Sequence, residues 1–207
     1  MAMNLGGDLG RAHRRAEKTR STKETQIVVC LELDGEGAGT VDTGLPFFDH
    51  MLAQLAKHGG LNLDLTARGD LEVDAHHSVE DTGIVLGEAL AEALGSKTGV
   101  RRFASIALPL DEALVEVALD LSGRAYLYYD VELGGTAPLG TPPFEAQLAE
   151  EFWRAFAQSA GVTLHIELRH GRNAHHVLEA SFKAVGRALR DAVRIEGSAI
   201  PSTKGQL

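Results

Sequence analysis

The sequence has one cysteine, few aromatic residues and no apolar run of membrane-spanning length. The lone Cys30 excludes an intrachain disulfide framework and fits a reducing compartment. The net charge of -9 argues against the concentrated positive face that binding to a nucleic-acid backbone requires. The N-terminal arginines lack the apolar stretch of a signal peptide. These absences predict a soluble, cytoplasmic protein that binds neither nucleic acid nor membrane.

A doubled pattern, His-His-x-x-Glu, is the most informative feature that is present. The two copies are His76, His77 and Glu80, and His175, His176 and Glu179. Residues four apart share a helix face, so the first histidine and the glutamate of each copy can bind one metal ion. Adjacent histidines diverge by about 100° around a helix axis. The second histidine of each copy is therefore expected to point towards the other copy's metal, which predicts a coupled two-metal site.

The similarity between the two copies extends along the chain and indicates an internal duplication. Gly87 corresponds to Gly186 in the register of the histidines. Upstream, with a two-residue change of register, residues 55–65 match residues 156–166. In that register His50 falls opposite Glu151, and both precede the matching segments on a predicted helix. Each is a candidate for a further metal ligand.

Hydrophobic periodicity predicts an α+β fold built from two copies of a strand-strand-helix-strand-helix unit. Helices should cover one face of each β-sheet, while the other face requires cover from the second half or another subunit. Residues 1–18, glycine-rich and then charged, are interpreted as a flexible tail. Residues 19–99 form the first half and residues 100–207 the second, together one compact domain.

The ligand types restrict the metal, and the C-terminal residues indicate a second kind of site. Imidazole and carboxylate together suit Mn, Fe, Zn, Co or Ni better than Cu(I), Mg or Ca. The terminal segment places Ser202, Thr203 and Lys204 before a glycine, an arrangement able to surround an oxyanion with donors. Arg102 and Arg124 gain significance only in combination with that segment.

Seven motifs together resemble the imidazoleglycerol-phosphate dehydratase family of histidine biosynthesis over about residues 20–207. They are RSTKET (20–25), TGLPFFDHML (43–52), DAHHSVED (74–81), LPLDEAL (108–114), DLSGR (120–124), NAHHVLEASFKA (173–184) and PSTKG (201–205). The resemblance implies loss of water from imidazole glycerol phosphate to give imidazole acetol phosphate. It also implies a bound pair of Mn²⁺ ions and a hollow homo-oligomer of 24 subunits.

The resemblance assigns roles to individual residues. The implied metal ligands are His50, His76, His77, Glu80, His175, His176 and Glu179. The eighth ligand is less clear, because many family members have a histidine where this chain has Glu151; His165 is the other candidate. The implied substrate-binding residues are Glu24, His58, Arg102, Arg124, Lys183, Ser202, Thr203 and Lys204. Glu24 resembles the family's mobile acid/base residue.

The chemistry gives such a site a purpose. The proton to be removed lies on the carbon next to the imidazole ring and is weakly acidic. The hydroxyl on the neighbouring carbon is a poor leaving group. Metals on both ring nitrogens would favour an imidazolate and stabilise a diazafulvene-like intermediate, and Glu24 would move a proton. Two alternatives remain at this point, a two-metal phosphoesterase and a non-catalytic metal-binding assembly. The first would release inorganic phosphate, and the second would have no use for Glu24 or the phosphate-binding residues.

Overall fold

The computed structural model describes residues 14–207, which form eight strands and four helices in two similar halves. The first half contains β1 (Arg15–Ser21), β2 (Thr25–Glu32), β3 (Val41–Asp42), α1 (Pro46–Gly59), β4 (Asn62–Gly69) and α2 (His76–Leu94). The second half contains β5 (Phe103–Leu110), β6 (Ala113–Asp120), β7 (Tyr126–Asp130), α3 (Leu148–Ala160), β8 (Thr163–His170) and α4 (Ala174–Ala192). The order of strands and helices is the same in both halves.

Each half forms one four-stranded sheet with the same topology. The strand orders are β1-β2-β4-β3 and β5-β6-β8-β7. Neighbouring strands are antiparallel except for the β3–β4 and β7–β8 pairs, which are parallel. The third strand of each half therefore lies at the far edge of its sheet, and the helix after it forms the crossover to the parallel fourth strand.

The core lies between the two sheets and is filled by the helices. Along β2, Ile27, Val29 and Leu31 are buried, whereas the residues between them face outward. Alternation of this kind buries one face of a sheet. Helix α2 packs on β1 and β2, and α4 packs on β5 and β6. The helices also pair across the halves, α1 with α4 and α2 with α3, so the helices of the two halves pack face to face between the two sheets.

Matched glycines allow the helices of the two halves to approach closely. A Cβ atom at Gly87 would lie 2.6 Å from the carbonyl oxygen of Phe156 on α3. A Cβ atom at Gly186 would lie 2.6 Å from the carbonyl oxygen of Leu55 on α1. Both distances are too short for any side chain, so only glycine permits these contacts. The repeat seen in the sequence thus corresponds to equivalent helix crossings.

The predicted α+β class, with a duplicated unit and helices on one face of each sheet, is confirmed. The predicted unit, however, omitted one strand, because each half has three strands before its first helix. The missing strand of the first half is β1, a sheet-edge strand whose sequence RAEKTRS contains a single apolar residue, Ala16. Such a strand has no hydrophobic periodicity for a sequence pattern to detect.

The predicted flexible tail is wrong over its last residues. Strand β1 begins at Arg15 and pairs with β2, so residues 15–18 belong to the sheet. The cause is tertiary, because the charged side chains of β1 are held by helix α2: Lys18 forms an ion pair with Glu92, and Arg20 with Asp81. The rest of the tail, residues 1–13, lies outside the described residues.

Candidate metal and oxyanion sites

The two His-His-x-x-Glu segments begin helices α2 and α4, as predicted. The backbone N–H groups of His175 and His176 donate to Asn173 Oδ1 at 3.0 and 3.4 Å, so Asn173 caps α4. At the start of α2, the N–H of His76 donates to Asp74 Oδ1 at 2.7 Å. These side-chain acceptors satisfy the free N–H groups of a first helical turn. Both histidine pairs are therefore fixed at helix starts.

One half of the predicted metal site is assembled within the chain. His50 Nε2 on α1 lies 3.2 Å from Glu179 Oε2, and His175 Nε2 lies 2.9 Å from the same oxygen. The three ligand atoms offered by these residues lie within 4.8 Å of one another. Over residues 14–207, this is the single place where three such ligand atoms meet. The packing of α1 on α4 thus joins His50 to the second motif.

The carboxylate of this group is ionised and stabilised by its neighbours. Burial raises the pKa of Glu179, but hydrogen bonds from Lys183, His50 and His175 outweigh it and lower the pKa to about 2. Lys183 Nζ lies 2.5 Å from Glu179 Oε1, on the side away from the histidines. An anionic oxygen beside two imidazole nitrogens is a donor set that fits a divalent transition metal.

The other predicted half is less complete. His76 Nε2 lies 3.9 Å from Glu80 Oε2, on the same face of α2. Glu151 lies in the first turn of α3, and its Oε2 atom is 3.8 Å from Arg154 Nε rather than beside His76. No group of three converging ligand atoms forms here among residues 14–207. His50 and Glu151 therefore lie on equivalent helices, α1 and α3, as the repeat predicts. Only His50, however, joins a group of converging ligand atoms.

His165, the other candidate for the eighth ligand, lies elsewhere in the chain. Its ring centroid is 5.4 Å from that of Tyr128 and 5.9 Å from that of Tyr126. Because its neighbours Leu164 and Ile166 face the core, His165 lies on the outer face of the second sheet. Its described contacts are with tyrosines and include none of the other ligand candidates.

The second histidine of each motif is held by a carboxylate that the sequence did not reveal. His77 Nδ1 lies 3.1 Å from Asp70 Oδ2, and His176 Nδ1 lies 2.7 Å from Glu112 Oε2. In both cases the carboxylate raises the pKa of the histidine. A carboxylate at one ring nitrogen orients the imidazole and leaves the other nitrogen for a metal. Neither histidine joins the group of His50, His175 and Glu179 within the chain.

Glu112 also caps the start of α4. Its Oε1 atom accepts hydrogen bonds from the backbone N–H groups of Arg172 and Asn173 at 3.2 and 2.8 Å. The hydrogen bond with His176 and then that from Asn173 lower the pKa of Glu112 to about 2. One carboxylate in the β5–β6 turn therefore fixes both the helix start and the imidazole.

Replacing Glu112 with glutamine should weaken metal binding by about tenfold to a hundredfold, the usual cost of losing such an orienting carboxylate. Glutamine keeps the size of the side chain and one acceptor oxygen but removes the charge that orients His176. Titration calorimetry with Mn²⁺ measures the effect. Glu116→Gln is the matched control, because Glu116 pairs with Arg169 in the same hairpin and contacts no ligand candidate. Equal affinities in the two variants would contradict the role given to Glu112.

The predicted oxyanion-binding residues line one cleft of about 480 Å³. The lining contains Arg102, Ser122, Arg124, Pro201, Ser202, Thr203, Lys204, Gln206 and Leu207. The residue before β5, the loop after β6 and the C-terminal segment thus bring together all five residues proposed from the sequence for this purpose. Three cationic side chains with hydroxyl and backbone donors form a suitable environment for a phosphate group.

Arg102 is rigidly held in this cleft. Its guanidinium donates to Asp120 Oδ1 at 2.7 Å, to Asp120 Oδ2 at 3.1 Å and to the carbonyl oxygen of Pro201 at 2.7 Å. Its φ angle of 78° lies in the left-handed region, which costs a residue other than glycine about 1–3 kcal/mol. The bidentate pair and the contact with the C-terminal segment maintain this conformation.

Lys97 is a buried cation beside the cleft that the sequence did not indicate. Its Nζ atom donates to the carbonyl oxygen of Leu121 at 3.1 Å. Burial lowers the pKa of Lys97, Arg102 lowers it further, and Asp120 opposes the shift. In the sequence, Lys97 lies between the polar residues Ser96 and Thr98, a pattern typical of an exposed turn. The burial of its side chain depends on distant segments and cannot be predicted from these neighbours.

The remaining predicted substrate residues lie near one or other metal-ligand segment. Burial and the charges of Lys183 and Arg187 lower the pKa of His58, which places His58 beside the α4 face that carries Glu179. Glu24 lies in the turn between β1 and β2, and its charge contributes to the raised pKa of His77. The structure therefore associates Glu24 with the α2 motif, and His58 and Lys183 with the α4 motif.

Comparisons with known proteins identify one family along nearly the whole chain. A family model described as imidazoleglycerol-phosphate dehydratase matches residues 43–189. The chain is 55% identical over 196 residues to the dehydratase of that name from Oceanobacillus iheyensis, covering 94% of this chain and 100% of the relative. It is 53% identical over 207 residues to the dehydratase from Acidothermus cellulolyticus, covering 98% of this chain and 97% of the relative.

Two solved structures are similar in fold. One is the crystal structure of the Pyrococcus furiosus enzyme in complex with (S)-C348, with a TM-score of 0.75 and 38% identity over 92% of this chain and 100% of that one. The other is the crystal structure of the Staphylococcus aureus enzyme, with a TM-score of 0.78 and 38% identity over 87% of this chain and 99% of that one. At these identities and coverages, both sequence and fold agree along nearly the whole chain.

Proposed function

Because this chain belongs to the imidazoleglycerol-phosphate dehydratase family, it is a hydro-lyase of histidine biosynthesis, and we propose that two Mn²⁺ ions held by its duplicated motifs serve one active site. The convergence of His50, His175 and Glu179 on one point carries this proposal. Other divalent transition metals would suit the same ligands. When bound, such an ion would supply Lewis acidity towards the imidazole ring of the substrate.

Each ion would be held by one copy of the motif together with one residue from the other half of the chain. His50, His175 and Glu179 would hold the first, and His76, Glu80 and Glu151 the second. His77 and His176 would complete the shells, because Asp70 and Glu112 hold their Nδ1 atoms and leave Nε2 available. Because Glu151 lies beside Arg154, its ligation of the second ion would require it to leave this ion pair.

The chain's own residues would bind the phosphate and move the protons. Arg102, Arg124, Ser202, Thr203 and Lys204 would hold the intact phosphate, with His58 and Lys183 lining the pocket. Glu24 would take the proton from the carbon next to the ring or give one to the departing hydroxyl, which is general acid/base work. Its exposed position in the β1–β2 turn leaves it free to reach a bound substrate.

Replacing Arg124 with glutamine should raise the KM for imidazole glycerol phosphate by about tenfold to a hundredfold, because a charge-assisted hydrogen bond contributes about 1.5–3 kcal/mol. The phosphate is bound equally in the ground and transition states, so kcat should change little. Steady-state kinetics measures both constants. Arg101→Gln is the control, because Arg101 is also exposed but pairs with Glu196 outside the cleft. A fall in kcat with unchanged KM would exclude Arg124 from phosphate binding.

Self-association is part of the proposal, with the 24 subunits that the family resemblance gives. One chain brings together only three of the eight proposed ligands among its described residues, so other copies are needed to complete each shell. Phe103, Tyr126 and Tyr128 are 55%, 57% and 41% exposed on the outer face of the second sheet. Large exposed aromatic side chains on the outer face of one sheet favour contact with another protein surface.

A cytoplasmic location is also proposed, on the basis of the single cysteine and the biosynthetic role. Over residues 14–207, the structure contains no helix with the length and apolarity needed to span a membrane.

The direct test is to incubate manganese-loaded protein with imidazole glycerol phosphate and identify the product by mass spectrometry. A dehydrated ketone that keeps its phosphate is the expected product. Release of inorganic phosphate would identify a phosphoesterase instead, and an unchanged substrate would identify a metal-binding assembly without this activity.

A further inference from the structure

We propose that Asp81 and Thr25 are positioning residues, which fix the turn that carries Glu24 against the metal-binding helix α2. The inference rests on the acid/base role of Glu24 proposed above. Asp81 directly follows Glu80 of the first motif on α2, and Thr25 directly follows Glu24. A contact between these two residues therefore joins the acid/base turn to the metal ligands.

The turn itself is closed by local hydrogen bonds. The N–H of Thr22 donates to the carbonyl oxygen of Thr25 at 2.9 Å. Thr22 Oγ1 accepts from the N–H groups of Glu24 and Thr25 at 3.1 and 2.9 Å. These bonds fix the backbone of Glu24 within the turn, but they do not determine where the turn lies relative to the active site.

Asp81 supplies the long-range anchor. Thr25 Oγ1 donates to Asp81 Oδ2 at 2.5 Å, and Arg20 Nε donates to Asp81 Oδ1 at 2.9 Å. The Asp81 side chain is only 10% exposed, and Thr25 is 2% exposed. A buried carboxylate requires such partners, because leaving it unpaired is costly. The two donors come from the strands on either side of the Glu24 turn.

The packing around this anchor leaves the turn little freedom to shift. Thr25 pairs with Gly69 at the end of β4. A Cβ atom at Gly69 would lie 2.1 Å from Ser78 Oγ on α2 and 3.3 Å from Thr25 Cγ2. No side chain therefore fits between strand, turn and helix. The next residue, Asp70, holds His77, so Glu24 and His77 are both positioned relative to the same helix.

The hydrogen bond between Thr25 and Asp81 should affect the rate of the reaction as well as the stability of the fold. Misplacement of a reacting group by about 1 Å can reduce a rate about a hundredfold. Glu24 itself is exposed and makes no described side-chain hydrogen bond among residues 14–207, so its location depends on the anchor at its base. Loss of the Thr25 hydroxyl should therefore affect the step that Glu24 serves, without removing a metal ligand or a phosphate contact.

The test compares Thr25→Val, which keeps the shape but removes the hydroxyl, with Thr25→Ser, which keeps the hydroxyl. Thr25→Val should lower kcat by about tenfold to a hundredfold with KM and manganese content unchanged. Thr25→Ser should recover most of the lost kcat. A normal kcat in Thr25→Val, or equal losses in the two variants, would overturn the inference.

A double-mutant cycle with Glu24→Gln separates positioning from structural damage. If Thr25 acts through Glu24, Thr25→Val should cost nothing further in the Glu24→Gln background. Multiplicative losses would overturn the inference. If Thr25→Val does not assemble, Asp81→Asn is tested by the same cycle, because asparagine keeps the size of the anchor and removes its charge.

The failure of this inference can be distinguished from failure of the proposed function. An inactive Glu24→Gln together with a fully active Thr25→Val would leave the acid/base role of Glu24 intact and remove only the positioning role. A fully active Glu24→Gln would remove both.

Discussion

Replacing Glu24 with glutamine should lower kcat by about a hundredfold to ten-thousandfold, the range supplied by a positioned general acid or base. Glutamine is nearly the same size but cannot take or give a proton at the reacting atoms. Glu24 lies in the β1–β2 turn, beside the α2 motif and outside the group of His50, His175 and Glu179. Manganese content should therefore stay at the wild-type level while turnover collapses.

Turnover and bound manganese are measured on the same preparation, so that loss of chemistry is separated from loss of metal. Glu17→Gln serves as the control, because Glu17 is an exposed glutamate on the neighbouring strand β1 and lines no described cleft. Unchanged turnover in Glu24→Gln would remove the acid/base role. A parallel loss of manganese would show that Glu24 acts on the metal site instead.

Replacing His175 with alanine should remove one of the two metal ions per chain and reduce turnover by about a thousandfold or more, since Lewis-acid stabilisation contributes several kcal/mol. The Nε2 atom of His175 converges with ligand atoms of His50 and Glu179, and the shell without it should hold an ion poorly. Glu179 stays ionised through its contact with Lys183, so the site should keep its shape. Metal content by atomic absorption and turnover by product formation test both effects.

His165→Ala provides the comparison for this variant. His165 packs beside two tyrosines on the outer face of the second sheet, so its loss should leave the metal content unchanged. Full metal occupancy in His175→Ala would refute the assignment of the first ligand group. Loss of an ion in His165→Ala would instead identify His165, rather than Glu151, as the eighth ligand.

The sequence predicted the helices and their repeat because the signals involved are local. The spacing of histidine and glutamate on one helix face, and the matching glycines at 87 and 186, depend on few neighbouring residues. The structure gives those glycines a common cause, since each lies against the backbone of a helix from the other half. The pairing of α1 with α4 then explains how His50 reaches the second motif.

What the sequence could not predict depends on contacts between distant segments. Asp70 and Glu112 orient equivalent histidines but come from different places in the two halves, so the repeat offers no register that relates them. Strand β1 is charged and becomes a strand only by pairing with β2. Lys97 is buried, and its Nζ atom donates to the carbonyl oxygen of Leu121, which is 24 residues away along the chain.

The oxyanion cleft was predicted from a combination of motifs rather than from any single residue. The resemblance selected Arg102, Arg124 and the terminal serine, threonine and lysine, and the structure brings them into one cleft. The conformation of Arg102, with a positive φ angle and a bidentate contact to Asp120, has no signature in the sequence. The residues of the cleft could thus be inferred from the sequence, whereas the conformation of Arg102 could be seen only in the structure.

Anomalous diffraction at the manganese absorption edge, from crystals of the manganese-loaded assembly, tests the two-metal site most directly. We expect two peaks per chain, one beside His50, His175 and Glu179 and the other beside His76 and Glu80. Each peak should be completed by a second histidine, His77 or His176. A single peak per chain, or peaks away from both motifs, would contradict the claim that the duplicated motif forms one two-metal active site.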